Sequence, residues 1–326
     1  MSLASLVRFS LTQRLLMLLF VALLIPAGWW AFLNIPIDAF PDISPTQVKI
    51  IMKAPGMTPE EVETRITGPI EVELLGVPRQ TMLRSVAKYA LTDITVDFEE
   101  GTDIYWARQQ IAERLAAVQD ALPAGISGGL APMSTPLSEM YMFTVDSPEM
   151  SLSEKRYLLD WTIRPALRTV PGVADVNALG GLVKTYSIAP RADAMLALDI
   201  TTGDLAEALQ NNNQNDGAGR LSRGEETLLV RSEGALGGIG SIEATAVDYR
   251  DGRLITVGMV ADVSLGSLER YGAVTENGVG EAVEGLVVSL RGSNARDVII
   301  GIEAKLDELR EGLPEHVTIS TFYNRS

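Results

Sequence analysis

Between Arg14 and Asp38 no residue carries a charge, and this run, Leu15 to Ile37, constrains the chain more than any other stretch. Its first half, Leu15 to Ile25, is built of large apolar residues. About 20 helical residues cross the hydrocarbon core of a bilayer, so the run is long enough to span one. Trp29 and Trp30 sit near its end, where an interfacial aromatic belt places them. Pro26 is tolerated inside a membrane helix. A cleaved signal peptide has an apolar core of only about 7–15 residues and a small-residue cleavage site. Trp29-Trp30-Ala31-Phe32-Leu33 is a poor cleavage site, so the run reads as an uncleaved anchor. Arg8 and Arg14 precede it; Asp38 and Asp42 follow. The positive-inside rule puts the N-terminus in the cytoplasm and the residues from Asp38 onward outside it.

About 290 residues follow the anchor, a length suited to two or three domains. The net charge of −15 argues against nucleic acid as a partner, since phosphate backbones select basic surfaces. There is no cysteine, so a non-cytoplasmic part is stabilised by burial and not by disulfides, and thiolates are excluded from any metal site. The single histidine, His316, follows Gly-Leu-Pro-Glu and reads as a turn residue. No Gly-x-Ser-x-Gly accompanies it, and no Gly-rich phosphate loop is present. The chain does not read as an enzyme.

Pro36, Pro41 and Pro45 predict a stiff extended exit from the anchor. Gln47–Ala54 reads as a strand. Thr58-Pro59-Glu60-Glu61 is a strong helix start, and that helix stops at Gly76-Val77-Pro78. Strands over Thr81–Ala87 and Leu91–Phe98 and a helix from Gly101-Thr102-Asp103 to about Leu122 follow. The order is β-α-β-β-α, and one more strand completes a split unit. The pattern restarts at Glu139–Asp146, with a capping box at Ser151–Glu154, a helix to Val170-Pro171-Gly172 and a strand over Val173–Leu179. It resumes with a strand over Glu281–Leu290, an amphipathic helix over Asn294–Glu311 and a strand over Val317–Tyr323. Residues 180 to about 275 read as an insertion of short strands and helices. Within it, Asn211 to Gly219 reads as a long polar loop, and Arg250-Asp251-Gly252 as a hairpin turn. The end at Ser326, directly after a strand, has the look of a truncation.

Several motifs, in order, resemble the heavy-metal efflux branch of the resistance-nodulation-division (RND) permeases, the CusA/CzcA type. Pro36-Ile37-Asp38-Ala39-Phe40-Pro41-Asp42-Ile43 is similar to the family's segment after the anchor. Ala54-Pro55-Gly56 and Gly101 to Arg108 are similar to its first porter subdomain. Leu159-Asp160-Trp161 and Pro171 to Gly181 are similar to the second. Phe322 to Ser326 resembles the segment before the second membrane helix, with Asn324 where Asp is usual.

The resemblance implies an α+β membrane-anchored fold. One N-terminal transmembrane helix precedes two ferredoxin-like split β-α-β porter subdomains, the second interrupted by an α+β docking subdomain. The implied boundaries are 1–37 for the cytoplasmic start and membrane helix and 38–130 for the first porter subdomain. Residues 131–180 with 275–326 form the second, and 181–274 the docking subdomain. It further implies the N-terminal part of a proton-driven cation exporter in the inner membrane of a Gram-negative bacterium, with its bulk in the periplasm. The implied partners are two further copies in a homotrimer, a periplasmic adaptor (membrane fusion) protein, an outer-membrane channel and the bilayer. The family's proton-relay acids lie outside this stretch, so the chain alone is not expected to transport. Two other readings fit the same pattern: a single-pass anchored periplasmic scaffold or binding module, and a drug or lipid exporter of a related branch.

No permanent cofactor is implied; the metal is cargo. Met133, Met140, Met142 and Met150 are soft donors that would suit Cu(I) or Ag(I). Met140 and Met142, two apart on a strand, are expected on one face, and methionine commonly fills cores. The harder candidates are Glu139, opposite Met140 on an otherwise apolar strand, and Asp175, on the strand Val173–Leu179 of the same unit. Carboxylates without thiolates suit divalent Zn, Co, Ni or Cd better than Cu or Ag. The resemblance implies that these two acids lie where divalent-cation members carry acids in a periplasmic cleft, with further ligands elsewhere in the protein.

Overall fold

The computed structural model describes residue 9 and residues 11–34, 44–135, 137–214, 216–223, 226–232, 234–250, 252–270 and 272–325. The segment from Pro36 to Ile43, including Asp38 and Asp42, lies outside them, as do Arg8 and Asp251.

The uncharged run forms one helix, α1 (Arg14–Asn34). Its stretch Arg14–Phe32 has a mean hydropathy of 2.3 and no buried share. Such a helix leaves apolar surface on every side, which only a bilayer or other apolar helices satisfy.

The next unit runs β1 (Gln47–Lys53), α2, β2 (Gln80–Lys88), β3 (Leu91–Phe98), α3 (Ile104–Val118) and β4 (Ser127–Leu130). Helix α2 has three pieces: Pro59–Val62, a π turn over Glu63–Thr67, and Gly68–Leu74. Thr58 and Glu61 close the expected capping box: Glu61 N–H donates to Thr58 Oγ1 at 3.4 Å, and Thr58 N–H donates to Glu61 Oε2 at 3.0 Å. The sheet is antiparallel in the order β2-β3-β1-β4. Both helices cover one of its faces. Val48, Ile50 and Met52 alternate inward from β1 and meet Ile66, Ile70 and Leu74 of α2 and Ala107 and Ile111 of α3.

The arrangement then repeats. β5 (Glu139–Asp146) leads to α4, built of Leu152–Leu158, a π turn over Leu159–Ile163, and Arg164–Leu167, and then to β6 (Val173–Gly180). After the insertion come β14 (Gly280–Ser289), α9 (Ala295–Arg310) and β15 (Thr318–Asn324), and the sheet order β6-β14-β5-β15 repeats the first unit's order position by position. The π turns fall at the same place in both units, ending two residues before Pro69 and Pro165. Proline has no N–H and its ring clashes with the carbonyl four residues back. Each helix answers by widening one turn: Gly68 N–H donates to Glu63 O, and Arg164 N–H to Leu159 O. Seven residues after each proline stands a left-handed glycine, Gly76 (φ 78°) and Gly172 (φ 89°).

The insertion comprises β7 (Lys184–Pro190), α5 (Ala192–Leu198), α6 (Thr202–Asn212), β8 (Asp216–Arg223), β9 (Glu226–Ser232), α7 (Ile239–Glu243), β10 (Ala246–Arg250), β11 (Arg253–Thr256), α8 (Val257–Val260) and β12 (Ala261–Ser267). Its two ends meet. β7 and β12 pair along their whole length, from Lys184 opposite Ser267 to Pro190 opposite Ala261, so the host sheet sees a short gap closed by a ribbon. A separate core of Met195, Leu205, Ile242, Ile255, Val257 and Val260 sits beyond that ribbon. The polar stretch expected as one loop is otherwise: Asn211 and Asn212 finish α6, and Asp216–Arg223 is the first strand of the hairpin β8-β9. Val257–Val260 forms a helical turn, so β12 begins only at Ala261.

The chain returns through β13 (Val274–Glu276), β14 (Gly280–Ser289), α9 (Ala295–Arg310) and β15 (Thr318–Asn324). The core of this second unit is Phe143, Val145, Leu159, Ile163, Leu167, Val283, Val287, Val298, Ile299, Ile302 and Leu306 with their neighbours. The two second helices bury matching offsets from their N-caps. From Asp103 these are Ala107, Ile111 and Val118; from Asn294 they are Val298, Ile302 and, half-buried, Leu309.

Candidate functional site

A cleft of about 280 Å³ opens between the two sheets. Lys49 and Ile51 of β1 form one wall. Glu139 of β5, Asp175 and Asn177 of β6 and Val288 of β14 form the other, and Ala131, Pro132, Ser134 and Thr135 close it. Backbone bonds hold the walls together. Ala131 N–H donates to Lys49 O at 2.8 Å, Ser289 N–H to Ser138 O at 2.8 Å, and Arg291 N–H to Met133 O at 3.1 Å. The Arg291 guanidinium also reaches the Pro45 carbonyl at 3.0 Å and that of Ser44.

The two acids singled out from the sequence both line this cleft. Glu139 and Asp175 flank Val288 on its two sides, each directly opposite it in the ladder. One strand therefore separates them, about 9–10 Å between backbones at two strand spacings. Their environments differ. Asp175 is occupied: Arg164 Nη2 lies 3.2 and 3.0 Å from its oxygens, Arg168 Nε lies 3.5 Å away, and Val176 N–H donates to it at 2.8 Å. Glu139 is exposed and has no hydrogen bond or ion pair among the described residues.

The methionines do not share a face as expected. The β5–β14 ladder slips between Val287, which faces Tyr141, and Val288, which faces Glu139, so Met140 is the extra residue of a bulge. Met140 and Tyr141 both turn into the helix-covered core. Met142 and Glu139 turn the other way, and Met140 is excluded as a donor to the cleft. Among the described residues no group of three or more His, Cys, Asp or Glu is placed to hold an ion.

Three charged groups of this region escape a reading by sequence alone. Lys49 reaches the cleft only because the two sheets face each other there. Arg164 reaches Asp175 only through packing of α4 on β6. Glu284 stands on the same face as Glu139, two and four residues from Leu286 and Val288 on β14. Its carboxyl is pushed above the ordinary range, first by burial and then by the negative charge of Glu139. A lone acid in the apolar run Val283 to Val288 was the available signal for it, the same signal that marks Glu139.

The sequence pattern of the AcrB/AcrD/AcrF family matches residues 6–326, and the chain belongs to that family. Its relatives include proteins named for metal resistance and cation efflux. The chain is 41% identical to Protein HelA of Legionella pneumophila, over 99% of this chain and 31% of that protein. It is 38% identical to the cobalt-zinc-cadmium resistance protein CzcA of Cupriavidus metallidurans, over 98% and 31%. It is 35% identical to the cation efflux system protein CusA of Escherichia coli K12, over 98% and 31%. The crystal structure of a heavy metal efflux pump superposes with a TM-score of 0.85 at 30% identity, covering 96% of this chain and 32% of that one. The chain thus spans about a third of the length of the relatives it matches.

Proposed function

We propose that this chain is the anchor and first periplasmic part of a proton-driven permease that exports divalent metal cations. In that reading residues 1–37 carry the membrane helix, and 38–130 the first porter subdomain. Residues 131–180 with 275–326 make the second, and 181–274 the docking subdomain. The two repeated sheets with separate cores, and a third core inserted between β6 and β13 of the second, support that division. The positive flank at Arg14 supports a cytoplasmic N-terminus and a periplasmic bulk in a Gram-negative inner membrane. A homotrimer acts with a periplasmic adaptor and an outer-membrane channel, and the protein moves its cargo without chemical conversion.

The observation that carries the cargo assignment is the cleft itself. It holds a carboxylate without a partner among the described residues, Glu139, and a second, Asp175, one strand away. Glu139 offers an open oxygen donor, and Asp175 becomes a second on leaving Arg164 and Arg168; such loose capture suits an ion in transit, since tight multidentate binding would slow release. Carboxylates without thiolates favour Zn²⁺, Co²⁺, Ni²⁺ or Cd²⁺, and the burial of Met140 removes one of the four thioethers that Cu(I) or Ag(I) would use. Glu139→Ala and Asp175→Ala in the intact protein should each lower cellular resistance to Zn²⁺, Co²⁺ or Ni²⁺ while trimer levels hold. Unchanged resistance, or a loss confined to Cu(I) and Ag(I), contradicts the assignment.

A further inference from the structure

Asp175 lines the cleft but is not free in it. Arg164 Nη2 lies 3.0 and 3.2 Å from its two oxygens, Arg168 Nε lies 3.5 Å away, and Val176 N–H donates to Oδ1 at 2.8 Å. The two arginines stand four residues apart at the end of α4 and so share one side of it. Val176 turns into the core beneath α4, and Asp175, its neighbour on the strand, turns away from it. β6 pairs only with β14, and the arginines reach Asp175 round its open edge. The clasp is not the strongest these groups could make. A guanidinium holds a carboxylate best through two nitrogens on two oxygens. Here both contacts come from one nitrogen, and Arg164 Nε is buried without a hydrogen-bond partner among the described residues. The Asp175 side chain is only 17% exposed, so losing the arginines without a replacement cation would leave a poorly hydrated charge.

We propose that Arg164, assisted by Arg168, is a resident counter-ion that occupies Asp175 and yields it to a divalent cation captured at Glu139. This rests on the reading of the cleft as a cation passage. Glu139 is the point of capture, being exposed and without a partner among the described residues. Asp175 is the second donor, reached only by exchange. The exchange lowers affinity, because only molecules in which Asp175 is released bind the ion through both acids. It also favours release, since the displaced guanidinium stays tethered to α4 and competes for the carboxylate as long as the ion is bound. Arg164 is a positioning residue: it acts through Asp175 and, as a cation itself, never touches the metal.

The test is Zn²⁺ titration of the intact purified protein by calorimetry, with thermal unfolding confirming that each variant is folded. Arg164→Gln is expected to tighten Zn²⁺ binding about tenfold, the gain when a donor free in about one molecule in ten becomes free in all. Arg164→Lys keeps the charge, and because one nitrogen makes both contacts, its affinity should stay near that of the wild type. Arg168→Gln, at the longer contact, should tighten binding less, and its failure to do so decides against the proposal if Arg164→Gln does not fold. In an Asp175→Asn background the Arg164→Gln gain should vanish. Unchanged or weaker binding in Arg164→Gln, while Glu139→Gln weakens it, overturns the counter-ion role and leaves the passage standing. Tightening that persists without Asp175 does the same. If Glu139→Gln leaves Zn²⁺ binding unchanged, the cation-passage reading falls, and the role of Arg164 falls with it.

Discussion

Gly285 faces Phe143 across the β14–β5 ladder, and a Cβ built there would stand 2.3 Å from the ring's Cζ. Phe143 is fully buried and cannot swing clear. Gly285→Ala should therefore destabilise the chain by about 1–3 kcal/mol, the usual cost of overpacking. Phe143→Leu in the same chain should recover part of that loss, which thermal unfolding of the single and double variants measures. Glu284 gives a prediction with a pH sign. Its folded carboxyl titrates above the ordinary 4.5, with burial as the larger cause and Glu139 the smaller. The folded state then binds more protons than the unfolded one, so Glu284 costs stability increasingly as pH rises through that interval. Glu284→Gln should raise the unfolding temperature at pH 7, and the gain should fade on acidification towards pH 4. A gain independent of pH would contradict the assignment.

The repeated helices make a prediction one level up. Ile111 and Ile302 occupy the same offset, eight residues past Asp103 and Asn294, and both are fully buried. Ile111→Ala and Ile302→Ala should each cost about 2–5 kcal/mol. Because the cores are separate, each should loosen amide-exchange protection mainly in its own unit. Much at this scale was legible in the residues. The capping boxes at Thr58 and Ser151, the prolines and the alternation of Ile94, Val96 and Phe98 along β3 mark elements in the residues themselves. What escaped was set by tertiary pairing. The bulge at Met140 leaves no period in the sequence, so its neighbours' faces were misassigned at Met142. Strand β8 is polar and Gly-rich, without an alternating apolar signal, and so reads as a loop. Glu139 and Asp175 were legible as acids on apolar strands. That Asp175 is neutralised by Arg164, and that Lys49 opposes Glu139, depends on contacts between elements far apart in the chain.

At the scale of the molecule, α1, two repeated sheets and an inserted third core make a body whose exposed parts call for partners. All of α1 from Leu15 to Phe32 that is described is unburied within the chain. The hairpin β8-β9 pairs only with itself among the sheets. If it is an arm that reaches a neighbouring copy, deleting Asn213 to Gly219 from the intact protein should weaken trimers on a native gel, and unchanged trimers would count against that role. The central claim, that a cation passes through the cleft under a proton gradient, is tested most directly in everted membrane vesicles carrying the intact protein. Zn²⁺ accumulation is measured with and without an imposed pH gradient. The account predicts saturable accumulation that requires the gradient and drops at least about tenfold with Glu139→Gln. Accumulation no higher than in vesicles without the protein, or equal with and without Glu139, would contradict it.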